Sequence, residues 1–183
     1  MDVVIVYESM FGNTHAVAEA VAAGIFDTDP AAHVTVLPVS EATAGDVTEA
    51  GLLIVGGPTH MRGMSSGLSR RKGLEAQEQA ASSKGARFTH EPAAEGPGAR
   101  DWLESLPPAS PGQRAAAFDT RAGSMLAGGA AKGIARRLRR RGYRLAAPPE
   151  GFIITGTEGP LREGEPDRAR DWGAALVRQP ART

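Results

Sequence analysis

The sequence predicts an α/β fold: a parallel sheet of five strands with helices in the crossovers. Three observations lead there. Short unbroken apolar runs such as Val3-Val4-Ile5-Val6-Tyr7 suit strands buried on both faces, unlike the alternation of a half-wetted antiparallel sheet. Segments of helical spacing separate those runs, and each run closes in a loop of small residues. The length, 183 residues with 41% hydrophobic and 23% charged side chains, is that of one ordinary domain.

Val3 to Tyr7 reads as the first and central strand. Asn13 or Thr14 is expected to cap the next helix, whose Val17, Val21 and Ile25 share one face and which ends near Asp27 to Pro30. His33 to Leu37 is the second strand, and Leu52-Leu53-Ile54-Val55, closed by Gly56-Gly57-Pro58, the third. Arg114 to Phe118 is the fourth, rich in alanine. Gly128 to Arg141 is helical through Ile134 and Leu138 and stops at Gly142. Tyr143 to Ala147 and Phe152 to Thr155 make a last strand broken by Pro148-Pro149, and a final helix runs from about Glu165 to Val177. Gly63 to Gly112 departs from this rhythm, being rich in Ala, Gly, Ser and Pro and longer than a crossover helix requires. It is expected to carry helices near Leu68 to Ser83 and Ala99 to Leu106 around a loop at Pro92 to Pro97. A lid over a site, or a contact between subunits of a homo-oligomer, are its candidate roles.

The absence of cysteine excludes disulfides, thiolate metal sites, iron–sulfur clusters and a cysteine nucleophile, so redox chemistry would need an organic cofactor. No apolar run approaches the roughly 18 residues of a membrane span, and Asp2 stands where a secretory signal would be basic; a soluble cytoplasmic protein is expected. His15, His33, His60 and His90 are dispersed without metal-ligand spacing, so no metal is assigned. Ser65, Ser66 and Ser69 lack a nucleophile elbow, which argues against a hydrolase. The 21 basic and 21 acidic residues cancel, yet residues 1–61 hold no Lys or Arg and seven of the basic residues fall between Lys132 and Arg144. Such a run is ordinarily a solvated helix face; docking of an acidic partner is the functional alternative, and without interleaved aromatics nucleic-acid binding is disfavoured.

The chemistry sits in Glu8-Ser9-Met10-Phe11-Gly12-Asn13-Thr14, between the first strand and the first helix. A strand, a tight loop with glycine and hydroxyls, and a helix start bring several N–H groups and the positive end of the helix dipole together, which suits a phosphate. There is no Gly-Lys-Ser/Thr ending for a nucleotide triphosphatase and no G-x-G-x-x-G for a dinucleotide fold.

These residues resemble the flavodoxin family, whose phosphate loop for flavin mononucleotide (FMN) runs hydroxyl, any, hydroxyl, Gly, any, Thr. Ser9, Gly12 and Thr14 match, and Phe11 stands where a second hydroxyl is usual. Gly56-Gly57-Pro58-Thr59-His60-Met61 looks like the first flavin-ring loop, in the Gly-x-Pro-Thr form of flavodoxin-like quinone reductases. Asp119-Thr120-Arg121-Ala122-Gly123 takes the place of the second, and Thr155 to Pro160 completes a likeness that covers nearly all of the chain outside the insertion. The resemblance implies a single three-layer domain over residues 1–183, with sheet order 2-1-3-4-5 and helices on both faces. It also implies an FMN site made by Ser9, Met10, Phe11, Gly12, Asn13, Thr14, Pro58, Thr59, His60, Met61, Asp119, Thr120, Arg121 and Gly123, with no catalytic residue assigned.

Electrons would then pass through bound flavin to a redox partner protein or a small acceptor. Two other readings stay open. One is an FMN-dependent NAD(P)H reductase of quinone-like acceptors, which the Gly-x-Pro-Thr loop, the neutral charge and the insertion favour. The other is an interaction module that keeps the fold without the cofactor, which Phe11 and the lack of Tyr or Trp between Asp119 and Leu126 allow. His60, Met61 or Trp102 are candidates to stack on the ring in place of that aromatic, although Trp102 and Trp172 fit core positions better. His60, Arg62 and Arg121 outweigh Asp119, implying a higher flavin potential than in acidic carriers, unless Arg121 faces solvent or pairs with Glu158.

Overall fold

The apolar runs become strands because both of their faces are covered: Val3–Val6, Leu52–Val55 and Ala115–Phe118 are all buried. The computed structural model describes residues 1–60, 63–64, 98–123, 129–156 and 159–178, with His60, Gly63 and Met64 described by backbone. Its strands are β1 (Asp2–Tyr7), β2 (His33–Pro38), β3 (Leu52–His60), β4 (Gly63–Met64), β5 (Arg114–Ala122), β6 (Arg144–Leu145) and β7 (Glu150–Ile154). The helices are α1 (Asn13–Thr28), α2 (Ala44–Thr48), α3 (Ala99–Ser105), α4 (Ala130–Arg140) and α5 (Glu165–Arg178).

β1 pairs in parallel with β2 on one side and β3 on the other; β3 pairs with β5, whose outer edge takes first β6 and then β7. With β6 and β7 counted as one strand interrupted at Pro148-Pro149, and the short antiparallel arm β4 set aside, the order is the expected 2-1-3-4-5. Residues along each strand alternate between two cores. Val4, Val6, Leu53, Val55, Ala115 and Ala117 meet Val47 of α2, Trp102 and Leu103 of α3, and Ile134 and Leu138 of α4. Val3, Ile5, Leu52, Ile54, Ala116 and Phe118 meet Val17, Val21 and Ile25 of α1 and Ala169 and Leu176 of α5.

On that second face α1 and α5 touch backbone to backbone. A Cβ added at Gly24 would lie 1.9 Å from the Arg170 carbonyl oxygen, and one at Gly173 would lie 2.3 Å from that of Val21. Asp27 and Arg170 close the joint from outside with a 2.6 Å ion pair. Trp172 packs edge-on to Phe118 and Phe152, with ring centroids 6.1 Å apart in each pair. α5 is tied to β7 by Glu165, which accepts from the Ile153 N–H and from Arg168, and Arg168 also reaches Glu150.

Several expectations change in detail. Gly12, with φ 85° and ψ −17°, is the N-cap of α1 in place of Asn13 or Thr14. β3 and β5 run on to His60 and Ala122, through residues read as loops. Gly56 does not turn the chain: a Cβ there would meet the Phe118 ring at 2.0 Å, so this glycine lets a ring lie across the strand. α2 is an addition, started by Thr43 and Asp46, whose side chains each bond the other's backbone N–H. The Ala99 to Leu106 helix is found as α3, with Trp102 buried and its Nε1 donating to the Ala42 carbonyl at 2.9 Å. The helix read at Leu68 to Ser83 and the loop at Pro92 to Pro97 lie outside the described residues.

Candidate functional site

In a parallel sheet the strand ends, and the helix starts that follow them, gather along one edge. Register sets that edge here: Tyr7 lies beside Gly56 and Gly56 beside Phe118, and then Gly57 pairs with Asp119 and Pro58 with Thr120. The loop from β1 to α1 therefore opens next to the ends of β3 and β5.

Ser9 is buried, and its Oγ accepts the Gly12 N–H at 3.1 Å, which folds the loop into a tight turn. Gly12 takes the left-handed conformation that glycine adopts without steric cost. Met10 is buried and Phe11 half-buried. Asn13 Nδ2 donates to the Gly159 carbonyl at 2.9 Å, tying the start of α1 to the loop after β7. Thr14 Oγ1 and Thr120 Oγ1 are 2.8 Å apart and both threonines are buried, so this hydroxyl pair bolts α1 to β5. α1 begins with no side-chain cap and no acid in its first turn. Its first N–H groups have no acceptor within the helix, and its dipole is left uncompensated there. This donor set of backbone N–H groups and hydroxyls suits a phosphate dianion.

α4 begins differently. Thr59 Oγ1 accepts the Ala130 N–H and Asp119 Oδ2 the Ala131 N–H, each at 2.9 Å. Asp119 is 0% exposed, its Oδ1 has no hydrogen-bond partner among the described residues, and Arg121 Nε lies 3.7 Å from that atom. Burial raises the Asp119 carboxyl above its ordinary range, while the Ala131 N–H, Arg121 and Thr59 pull the other way. A side chain at Gly129 would strike Arg121 and Asp119, and one at Gly151 would strike the Arg121 guanidinium.

Alternation along β5 separates the remaining residues. Thr120 faces α1, whereas Asp119 and Arg121 face α4. Arg121 is thus packed over Gly151 and beside Asp119; Glu158, its other candidate partner, lies outside the described residues. Gly123 is exposed just past β5, Pro58 is half-buried opposite Thr120, and His60 continues β3 into its pairing with Gly63. Met61 lies outside the described residues. Sequence reasoning passed over Glu8, which is buried and accepts the Ala99 N–H at 2.8 Å, joining the β1 loop to α3. The available signal was an acid directly after an unbroken apolar strand. His15, also read as unremarkable, stacks on Tyr7 with centroids 4.6 Å apart.

Among the described residues no helix is long and apolar enough to cross a membrane, and no group of three or more His, Asp or Glu is gathered to hold a metal ion.

The flavodoxin family model matches residues 5–89. No curated protein matches the chain. Among solved structures, a flavodoxin from the domain Archaea superposes with a TM-score of 0.61 at 21% identity, over 97% of this chain and 96% of that one. Oxidised flavodoxin 2 from Bacillus cereus gives 0.64 at 18% identity, over 97% and 98%. A flavodoxin from Streptococcus pneumoniae TIGR4 gives 0.63 at 17%, again over 97% and 98%. The chain thus has the flavodoxin fold across nearly its whole length, and residues 5–89 match the flavodoxin family pattern.

Proposed function

We propose that the protein binds FMN at the start of α1 and carries electrons through it to a partner. The observation that carries this reading is the helix start itself. It combines a left-handed Gly12, the Ser9 and Thr14 hydroxyls and an uncompensated dipole, at the edge where β1, β3 and β5 end. Bound there, flavin would supply one- and two-electron transfer. In this reading Ser9, Met10, Phe11, Gly12, Asn13 and Thr14 form the phosphate loop, while Pro58, Thr59, His60, Met61, Asp119, Thr120, Arg121 and Gly123 belong to the two ring loops.

Within that division, the described contacts give several residues distinct tasks. Ser9 holds the shape of the phosphate loop, Asn13 anchors it to Gly159, and Thr14 fixes it to β5. Thr59 and Asp119 hold the stems of both ring loops against α4. The whole chain, residues 1–183, is read as one domain with an insertion at about 63–112.

The test is the absorbance spectrum of the purified protein, followed by calorimetric titration with FMN, riboflavin and FAD. FMN should bind most tightly, since riboflavin forfeits the phosphate contacts and FAD must thread a second phosphate into a closed loop. Equal affinity for riboflavin and FMN removes the phosphate assignment. Steady NAD(P)H consumption with a quinone would convert the carrier into a reductase.

A further inference from the structure

The outward face of α4 carries Lys132, Arg136, Arg139 and Arg140, all exposed and spaced to share one side of the helix. Among the described residues no side chain pairs with any of the four. The nearby acid, Glu104, is engaged by Arg137 at 3.7 Å, and its carbonyl takes Arg141. Cations crowd here: burial, and after it Arg100, Arg136 and Arg140, draw the Arg137 guanidinium below its usual range, with Glu104 opposing them. An isolated helix gains from positive charge in its last turn, but that gain fades within one turn. It gives no reason for Lys132 or Arg136.

The stripe is also placed to matter. Lys132 follows directly on Ala130 and Ala131, whose N–H groups are held by Thr59 and Asp119. Arg140 lies about 12 Å further along the helix axis. The cations therefore run down one flank of the molecule from beside the candidate site. The opposite edge of the sheet, β2 with α2, exposes Glu41, Asp46 and Glu49, and residues 1–60 contain no Lys or Arg. A neutral molecule divided this way orients an approaching charged surface even though its net charge is zero.

We propose that this face of α4 docks the acidic surface of the protein with which the site exchanges electrons; the electron-exchange part rests on the flavin reading above. Two features favour a protein surface over a nucleic acid. The stripe presents no aromatic for base stacking, Tyr143 being buried, and the acidic edge repels a long polyanion.

The probes are a fluorophore-labelled oligoglutamate and a single-stranded oligonucleotide of equal charge, titrated at low and at physiological salt into the wild type and into R136E/R140E. Oligoglutamate should bind at low salt and weaken with added salt, and the double variant should lose about tenfold or more in affinity. Tighter binding of the oligonucleotide at the same residues overturns the proposal in favour of nucleic acid. Self-association of the wild type that the double variant abolishes overturns it in favour of a second copy. Indifference of oligoglutamate to the variant overturns it outright.

The second arm follows oxidation of the reduced, FMN-loaded protein by ferricyanide, a trianion, and by hexaamminecobalt(III), a trication. R136E/R140E should slow the first several-fold at low salt and speed the second. Unchanged rates with lost oligoglutamate binding would show that the stripe does not serve the site, and the redox-partner assignment falls. A protein that takes up no FMN removes the flavin reading, whereas the oligoglutamate arm needs no flavin and decides the docking surface separately.

Discussion

Two helices begin along the same edge of the sheet, and the chain treats them in opposite ways. At α4 the first N–H groups are met from within, by the Thr59 hydroxyl and the buried Asp119 carboxylate. At α1 the chain offers hydroxyls and a left-handed glycine but neither a side-chain cap nor an acid in the first turn. A helix start attracts one anion, so an internal carboxylate makes α4 a structural joint and leaves α1 as the place for an anion from outside. Where the chain places its own carboxylates thus distinguishes two similar helix ends and favours the proposed site at α1.

The largest effect is expected where the open start is spoiled. Gly12→Val forces a β-branched residue into the left-handed region, at a cost of about 1–2 kcal/mol, and puts a side chain where a phosphate would approach; FMN affinity should fall by about a hundredfold or more. Calorimetry against the wild type measures the affinity and denaturant unfolding the stability, and unchanged binding would end the comparison.

Next comes making α4 resemble α1. Asp119→Ala leaves the Ala131 N–H without its acceptor and should cost about 1–3 kcal/mol of stability, whereas Asp119→Asn keeps an oxygen there and should cost less. The two carboxyl states also separate with pH. Burial raises the Asp119 pKa above its unfolded value near 4, so the folded state takes up this proton at higher pH than the unfolded chain does. The carboxyl's contribution is therefore most favourable below the unfolded pKa and is lost as pH rises through the folded one. Relative to Asp119→Asn, the wild type should gain stability on acidification through that window; a gap that is flat with pH would contradict the assignment. Glu165 runs the other way. Burial pushes it up, but Arg168, the Ile153 N–H and Arg162 together hold it below its ordinary value, so its support is present above the unfolded pKa and fades as pH falls through the folded one.

A smaller effect is expected at the bolt between α1 and β5. Thr14→Val strands the buried Thr120 hydroxyl and should cost about 1–2 kcal/mol, while Thr14→Val with Thr120→Val should cost less than the sum of the two single changes. A double-mutant cycle by denaturant unfolding reads the coupling, and strict additivity would mean that the pair does not interact. Smallest of all is Arg121→Gln. With the guanidinium about one-third exposed, stability should move by about 0.5 kcal/mol or less, but the Asp119 carboxyl should titrate at higher pH in an NMR experiment.

What the sequence made legible and what it hid have one physical origin. Val3 to Tyr7 and Leu52 to Val55 could be read because burial on both faces demands an unbroken apolar run. The loop from Ser9 to Thr14 could be read as a tight turn because such turns restrict residue type. Gly56 and Gly57 misled, since a glycine that admits a neighbouring ring is indistinguishable in sequence from one that turns the chain. The N-cap was displaced by a residue or two for the same reason: Gly12 caps α1 through its backbone angles, with no side chain to announce it. α2 left a signal, the Thr43 and Asp46 pair, in a segment too short to show periodicity. Glu8, and the division of Asp119 and Arg121 from Thr120, depend on packing across the sheet, which spacing along one strand does not reveal.

The glycine joint between α1 and α5 gives α1 a pinned far end. Where two backbones meet without intervening side chains there is nothing to slide or re-pack, so α1 can neither translate along its axis nor roll. Gly12 lies about 18 Å along the helix from Gly24, and the first turn is held separately, by the Thr14–Thr120 hydroxyl pair and the Asn13–Gly159 bond. The helix is therefore a beam fixed at both ends, and an incoming anion would meet a tip already set in place. The root's amides, at residues 21–25 and 170–173, should be among the slowest in the chain to exchange with solvent, whatever is seated at the tip.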